Sequence, residues 1–314
     1  MKKIIVLCGG ASPEREVSLN SGSAVQSGLA EAGYDASLVD ITSIRSFIEQ
    51  WPGLGADGVF IALHGGWGED GRLQQALEAR GIPFTGSRSL ACLLSMDKEC
   101  SLDIFAAHGI PTPPGIVLTY NRDNTPDLRD ALEAWGRIVI KPAAGGSTVG
   151  VTIADDEEEA RAGLDSVWDI DTRAIVERFI PGHELTAAVI GDERTCFSMP
   201  LIEIRPNSGF YDYKSKYTKG MTEYLCPAPA GGDAAARLAR YACTAHMALG
   251  CRAYSRVDFR VTGDGEIFAL ELNTAPGMTE TSLVPKAAAV YGWSFPALLD
   301  RIVRDSFGDP STAI

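Results

Sequence analysis

The chain has 314 residues, 45% of them hydrophobic and 22% charged, with a formal net charge of −13. At roughly 100–200 residues per unit this allows two or three domains of ordinary globular composition. The acidic balance argues against a general nucleic-acid binder, which needs a basic surface, and no run of about 18 apolar residues is present to span a membrane.

The seven cysteines form no C-x-x-C pair and there are only four histidines. A zinc site is therefore not expected, and the thiols read as small buried residues of a reducing, cytoplasmic setting. "KKIIVLC" at the start is too short an apolar run for a leader. It reads as a buried parallel strand ending in Gly9-Gly10. Residues 14–33 predict a helix with Val17, Ala24, Val25 and Leu29 near one face, stopped at Gly33. Strand "DASLVDI", helix "SIRSFIEQW", strand "DGVFIALHG", helix "DGRLQQALEARG" and strand "IPFTG" follow. This βαβαβαβ alternation predicts an α/β, doubly wound parallel sheet.

Residues 89–109 predict one long helix leading out of that unit, with a boundary expected near residue 96. Next come a strand in "IPTPPGIVL", helix "LRDALEAWG", strand "RIVIK", a glycine loop, strand "GVTIA", helix "EEEARAGLDSVW" and strand "AIVERFI". The last part opens with antiparallel strands "HELTAAVIG" and "RTCFSMPLIEI". A helix over 234–250, a hairpin turned at Gly263-Asp264-Gly265 and a terminal helix ending near Phe307 complete it. The expected division is 1–96, 97–182 and 183–314, the latter two α+β.

Two stretches carry chemistry. In "RVDFRVTGDGEIFALELNTAPG", Asp258 lies six residues before Asp264 and Glu271 seven after it, so they approach across adjacent strands, with Asn273 on the same face as Glu271. Two carboxylates and an amide oxygen form a hard-oxygen set suited to Mg²⁺. In "KPAAGGSTVG", Lys141 ends a strand and the glycines follow, the reverse of a P-loop, in which the lysine follows the glycines. Such a loop lets backbone N–H groups approach phosphate oxygens, although alone it reads equally well as a glycine-rich turn. Lys98 stands at a domain junction, and Glu184 follows the strand "VERFI", where it could receive a ribose. "CGGASPE" is not G-x-G-x-x-G, which argues against a nicotinamide oxidoreductase.

Lysine, glycine loop, acidic strand end and D…E-x-N in this order resemble the ATP-grasp fold, in which two α+β domains clamp ATP. "GGASPEREVSLNSG", "FIALHGGWGEDGRLQ", "TGS…SMDK", "GFYDYKSKY", "CPAP", "RVDF" and "ELNTAPGMTETSLVP" further resemble the D-alanine–D-alanine ligases along nearly the whole chain. The resemblance implies ATP-driven joining of two D-alanines through an acyl phosphate, in peptidoglycan precursor synthesis, by a homodimer. It implies two Mg²⁺ ions (or Mn²⁺) at Asp258, Glu271 and Asn273. Lys98, Lys141 and Lys216 would meet the phosphates. Glu177, Arg178, Phe179, Ile180 and Glu184 would form the adenine and ribose pocket. Glu14 would bind the ammonium of the first D-alanine with His64 nearby, and Ser147 and Tyr217 would join Glu14 to hold a lid shut. Arg256 and the Gly277 N–H would hold the oxyanion, while Ser282 and Leu283 would form the second D-alanine pocket.

Tyr217 further implies a dipeptide rather than a D-lactate ester as product. One departure stands out: Ala144 and Gly145 occupy loop positions where relatives often carry charge. A D-serine acceptor on the same fold, or an ATP-binding regulator without catalysis, are the alternatives. Retention of Arg256, Asp258, Glu271 and Asn273 argues against the regulator.

Overall fold

The computed structural model describes residues 2–121, 126–146, 148–207 and 220–308. The first sheet contains β1 (Lys3–Gly9), β2 (Asp35–Ile41) and β3 (Gly58–Ile61), all parallel, in the order β2-β1-β3. β1 is central and apolar nearly throughout because both its faces are covered. The covering helices are α1 (Arg15–Glu31), α2 (Ile44–Leu54) and α3 (Arg72–Ala79). The buried side of α1 is Ser18, Ser21, Gly22, Val25, Gly28 and Leu29, so Val17 and Ala24 lie beside the packed stripe rather than in it. The expected strand over 82–86 shrinks to one bridge between Val59 and Phe84. Pro83 brings no N–H to extend a ladder there.

The predicted long helix is two. α4 (Ser89–Met96) and α5 (Lys98–Ala107) are separated by Asp97, whose backbone is extended at φ −86°, ψ 102°. Its carboxylate accepts the Cys100 N–H at 3.2 Å. An aspartate that caps a new helix start offers the backbone an alternative to running on.

The second sheet is antiparallel: β4 (Gly115–Thr119), β5 (Ile138–Pro142), β6 (Thr152–Ala154) and β7 (Arg173–Arg178), ordered β4-β7-β5-β6. α6 (Arg129–Trp135) and α7 (Glu157–Trp168) cover it around Ile138, Ile140, Leu164 and Val176. The third sheet runs β11 (Thr222–Leu225), β10 (Ile202–Pro206), β8 (His183–Gly191), β12 (Ala253–Val261) and β13 (Ile267–Asn273), with β9 (Cys196–Ser198) also on β8. The strand expected over 194–204 is thus split, with Pro200 in the gap. Helices α8 (Gly232–Ala248), α9 (Leu283–Tyr291) and α10 (Phe295–Phe307) complete the chain described.

The cores do not follow chain order. Ile4, Val25 and Leu29 of the first unit pack in one cluster with Ile190, Tyr254, Leu298 and Leu299 of the last. α5 packs through Phe105 into the cluster of Leu185, Val257 and Leu272, on the third sheet rather than the second. First and last units therefore stabilise each other. Leu299 is fully buried, so Leu299→Ala should destabilise the chain by about 2–5 kcal/mol. Urea unfolding followed by circular dichroism should show one shifted transition, not separate melting of the two ends.

Candidate active site

The hairpin β12–β13 pairs Asp258 directly with Glu271 and Arg256 with Asn273; a bulge between Asp258 and Phe259 shifts the register by one residue, so that Asp258 faces Glu271 rather than Leu270. Asp258 is nearly buried and fully engaged. Arg256 Nε and Nη2 donate to its two oxygens at 2.9 and 2.8 Å, and Thr186 Oγ1 on β8 donates at 2.5 Å. Glu271 Oε2 lies 3.3 Å from Lys98 Nζ. The Asn273 side-chain oxygen accepts the Ala275 N–H at 2.8 Å. Among the described residues no three His, Cys, Asp or Glu side chains cluster as a metal cage. Two carboxylates plus one amide oxygen still fit Mg²⁺, which keeps open positions for water and phosphate oxygens.

One cleft, of about 370 Å³, opens between the second and third sheets. Val139, Ile153, Phe179, Ile180 and Leu270 give it apolar walls suited to a flat ring, and Arg178 and Glu184 also line it. Lys141 and Glu177 face each other across β5 and β7 at 2.7 Å, both buried. Glu177 Oε2 finds no hydrogen-bond partner among the described residues. Arg260, passed over in the sequence, lies 3.7 Å from Glu184 and donates to the Ile180 carbonyl at 3.1 Å. Burial lowers its pKa from the usual value. The signal was present: "RVDFR" places arginines two residues to either side of Asp258.

A second cleft, of about 330 Å³ and more polar, lies against the first sheet. Glu14, just before α1, and His64, just after β3, enter it from that unit; Arg256, Gly277, Ser282 and Leu283 enter from the other side. His64 Nε2 shares a hydrogen bond with Ser21 Oγ at 2.9 Å, and its Nδ1 lies 3.6 Å from Glu69. Ser282 immediately precedes α9, and its Oγ accepts the Thr279 N–H at 3.1 Å. A Cβ at Gly277 would sit 3.0 Å from that oxygen, so glycine permits the close approach. Glu69 and Tyr224 line this cleft and were not singled out in the sequence. Neither has a spacing signal; only the fold brings them there.

The two clefts share Lys98, Gly145, Gly146 and Glu271. Lys98 Nζ donates to the Gly145 carbonyl at 2.5 Å, tying the glycine loop to the start of α5. Asp258 lines only the first cleft and Asn273 only the second. Ser147, Lys216 and Tyr217 lie outside the described residues. A buried pair broken on one side leaves a costly charge, so Glu177→Ala should cost about 3–5 kcal/mol in urea unfolding, and Lys141→Met/Glu177→Leu should recover much of it.

The family profile described as "D-ala D-ala ligase C-terminus" matches residues 104–304, and "D-ala D-ala ligase N-terminus" matches 50–87. The D-alanine–D-alanine ligase of Syntrophotalea carbinolica is 44% identical over 96% of this chain and 95% of its own. The Bacillus anthracis D-alanine–D-alanine ligase complexed with ATP superposes with a TM-score of 0.81 at 30% identity, over 98% of this chain and 97% of that one. The VanG D-Ala:D-Ser ligase of Enterococcus faecalis gives 0.82 at 32%, over 96% and 98%. With the ATP-grasp arrangement of its sheets and these matches along nearly its full length, the chain belongs to the D-alanine–D-alanine ligase family.

Proposed function

We propose that this chain joins two D-alanines into D-alanyl-D-alanine at the expense of ATP. The observation that carries the reading is the meeting of an apolar cleft and a polar cleft at one lysine, one glycine loop and one carboxylate. A nucleotide seated against Val139, Ile153 and Leu270, with its ribose at Glu184, would run its phosphates toward Lys141 and Lys98. Amino-acid carboxylates in the second cleft would then face the γ-phosphoryl group. Glu177 to Ile180 supply the pocket edge for adenine on this reading.

Phosphoryl transfer needs positioning and charge neutralisation rather than covalent help. Glu14 holds the ammonium of the first D-alanine, and His64 lies beside it. The carboxylate of that D-alanine attacks the γ-phosphorus as the bond to ADP breaks. The amine of the second, placed by Ser282 and Leu283, attacks the acyl carbon; a proton leaves and phosphate departs. Arg256 and the Gly277 N–H stabilise the tetrahedral oxyanion between these events. Asp258, Glu271 and Asn273 would hold Mg²⁺, two ions or Mn²⁺ in their place, whose charge offsets that of the phosphate oxygens. On the family resemblance, Lys216 would add a further cation and Ser147 and Tyr217 would join Glu14, although Ser147, Lys216 and Tyr217 lie outside the described residues.

The division 1–96, 97–182 and 183–314 is part of this proposal. So are a cytoplasmic role in peptidoglycan precursor synthesis and a homodimer. Leu90 and Leu93, one turn apart on α4 and 64% and 56% exposed, support a self-association surface. Among the described residues no helix is long and apolar enough to cross a membrane.

Phosphate release with ATP, Mg²⁺ and D-alanine, set against L-alanine and amino-acid-free controls, tests the reading. D-Alanine-dependent release with D-Ala-D-Ala identified by mass is expected. A D-serine-containing product formed in preference would move the acceptor assignment. ATP binding without turnover would favour the regulator.

A further inference from the structure

The glycine loop and Lys98 are held from behind by a cluster that takes no direct part in the chemistry above. Arg173, the first residue of β7, donates through Nη2 to Asp97 Oδ2 and through Nη1 to Glu99 Oε2, both at 2.5 Å. These two acids flank Lys98. The Arg173 carbonyl accepts the Ala143 N–H at 3.0 Å, and the Ala143 carbonyl accepts the Lys98 N–H at 2.8 Å. Asp171 completes the cluster: its Oδ2 accepts the Ala144 N–H at 2.8 Å and its Oδ1 the Arg173 N–H at 3.1 Å. Three segments therefore meet here: the start of α5, the foot of the glycine loop and the start of β7.

The three are divided between two bodies of packing. α5 is anchored by Phe105 among side chains of the third sheet, whereas Arg173 and Ala143 belong to the second. The first cleft lies between those sheets. The Arg173 guanidinium is thus a cross-link behind Lys98 and Ala144, which line the first cleft, with its fork matched to two carboxylates. Burial alone would raise the pKa of Asp97, yet the Arg173 guanidinium and the hydrogen bonds from Cys100 together hold the carboxyl below its ordinary value.

We infer that Arg173, with Asp97 and Glu99, is a positioning clamp for ATP: it fixes Lys98 and the foot of the glycine loop against each other in the wall of the cleft. The inference rests on the ligase reading and adds residues that line neither cleft. Ala144 and Gly145 carry no charged side chain that could set the position of this part of the loop. The clamp supplies that constraint from the back.

The test is steady-state kinetics of the full chain, with separate KM values for ATP and D-alanine, alongside equilibrium binding of a non-hydrolysable ATP analogue. Misplacement of a phosphate-binding group by about 1 Å can cost on the order of 100-fold. Arg173→Met should lower kcat/KM for ATP by about 10-fold or more by the same reasoning, and weaken analogue binding, while leaving the KM for D-alanine near its original value. Arg173→Lys should restore part of the loss. Asp97→Asn keeps a competent helix cap but removes the charge, and should show the same selective loss in a chain that folds. Asp97→Asn combined with Arg173→Met should be no worse than Arg173→Met alone, because both break one contact. Unchanged ATP parameters in Arg173→Met and Asp97→Asn would overturn the inference, as would equal losses toward both substrates. Analogue binding needs no amino acid, so it tests the clamp even if D-alanine-dependent turnover is absent and the ligase reading falls.

Discussion

The ammonium group of Lys98 is buried where two clefts meet, and a buried cation has to be matched or it costs several kcal/mol. The match comes from a Glu271 oxygen at 3.3 Å and the Gly145 carbonyl at 2.5 Å. One partner lies on β13 of the third sheet, the other in the loop after β5 of the second. Neutralising this one charge therefore draws together the start of α5, the glycine loop and the acidic hairpin. The same three elements bound the place where, on the ligase reading, phosphate oxygens and a carboxylate come into contact.

Charge elsewhere in the site is handled in the same local way. The chain carries −13 overall, yet five cations, Lys98, Arg137, Lys141, Arg178 and Arg260, line the first cleft beside four acids, Glu177, Glu184, Asp258 and Glu271. Lys141 is kept in place by Glu177, and Asp258 by Arg256 and Thr186, so neither is left as an isolated buried charge. Each pair holds a charged group in a fixed position before any ligand arrives, which lowers the reorganisation needed on binding.

Much of this was legible in the sequence because it is local. That Asp258 and Glu271 approach each other follows from counting outward from a glycine turn, although a bulge after Asp258 sets them directly opposite, and the parallel sheet follows from apolar runs alternating with helical periods. The break at Asp97 was not read, because apolar residues continue on both sides of it and only the cap chemistry and the Arg173 contacts end the first helix. The pairing of Arg173 with Asp97 spans 76 residues and has no periodic trace. The loss of strands at Pro83 and Pro200 was a missed local signal, since proline there had already removed a ladder donor. The common core of α10 with α1 and β1 is likewise a product of tertiary packing: Leu298 and Leu299 are ordinary apolar helix positions until Val25 and Leu29 cover them. For the site residues, sequence spacing named the hairpin acids and the loop lysine, whereas the family resemblance was needed to join Glu14, His64 and Ser282 into one cleft.

The central claim is that the two clefts meet so that a substrate carboxylate attacks phosphorus directly. The most direct measurement is turnover of D-alanine labelled with ¹⁸O in its carboxylate, with the released phosphate analysed by mass. The account predicts that one labelled oxygen passes from the first D-alanine to phosphate for each dipeptide formed. Phosphate free of label, with both labelled oxygens of the first residue unaccounted for in it, would contradict carboxylate activation at this junction.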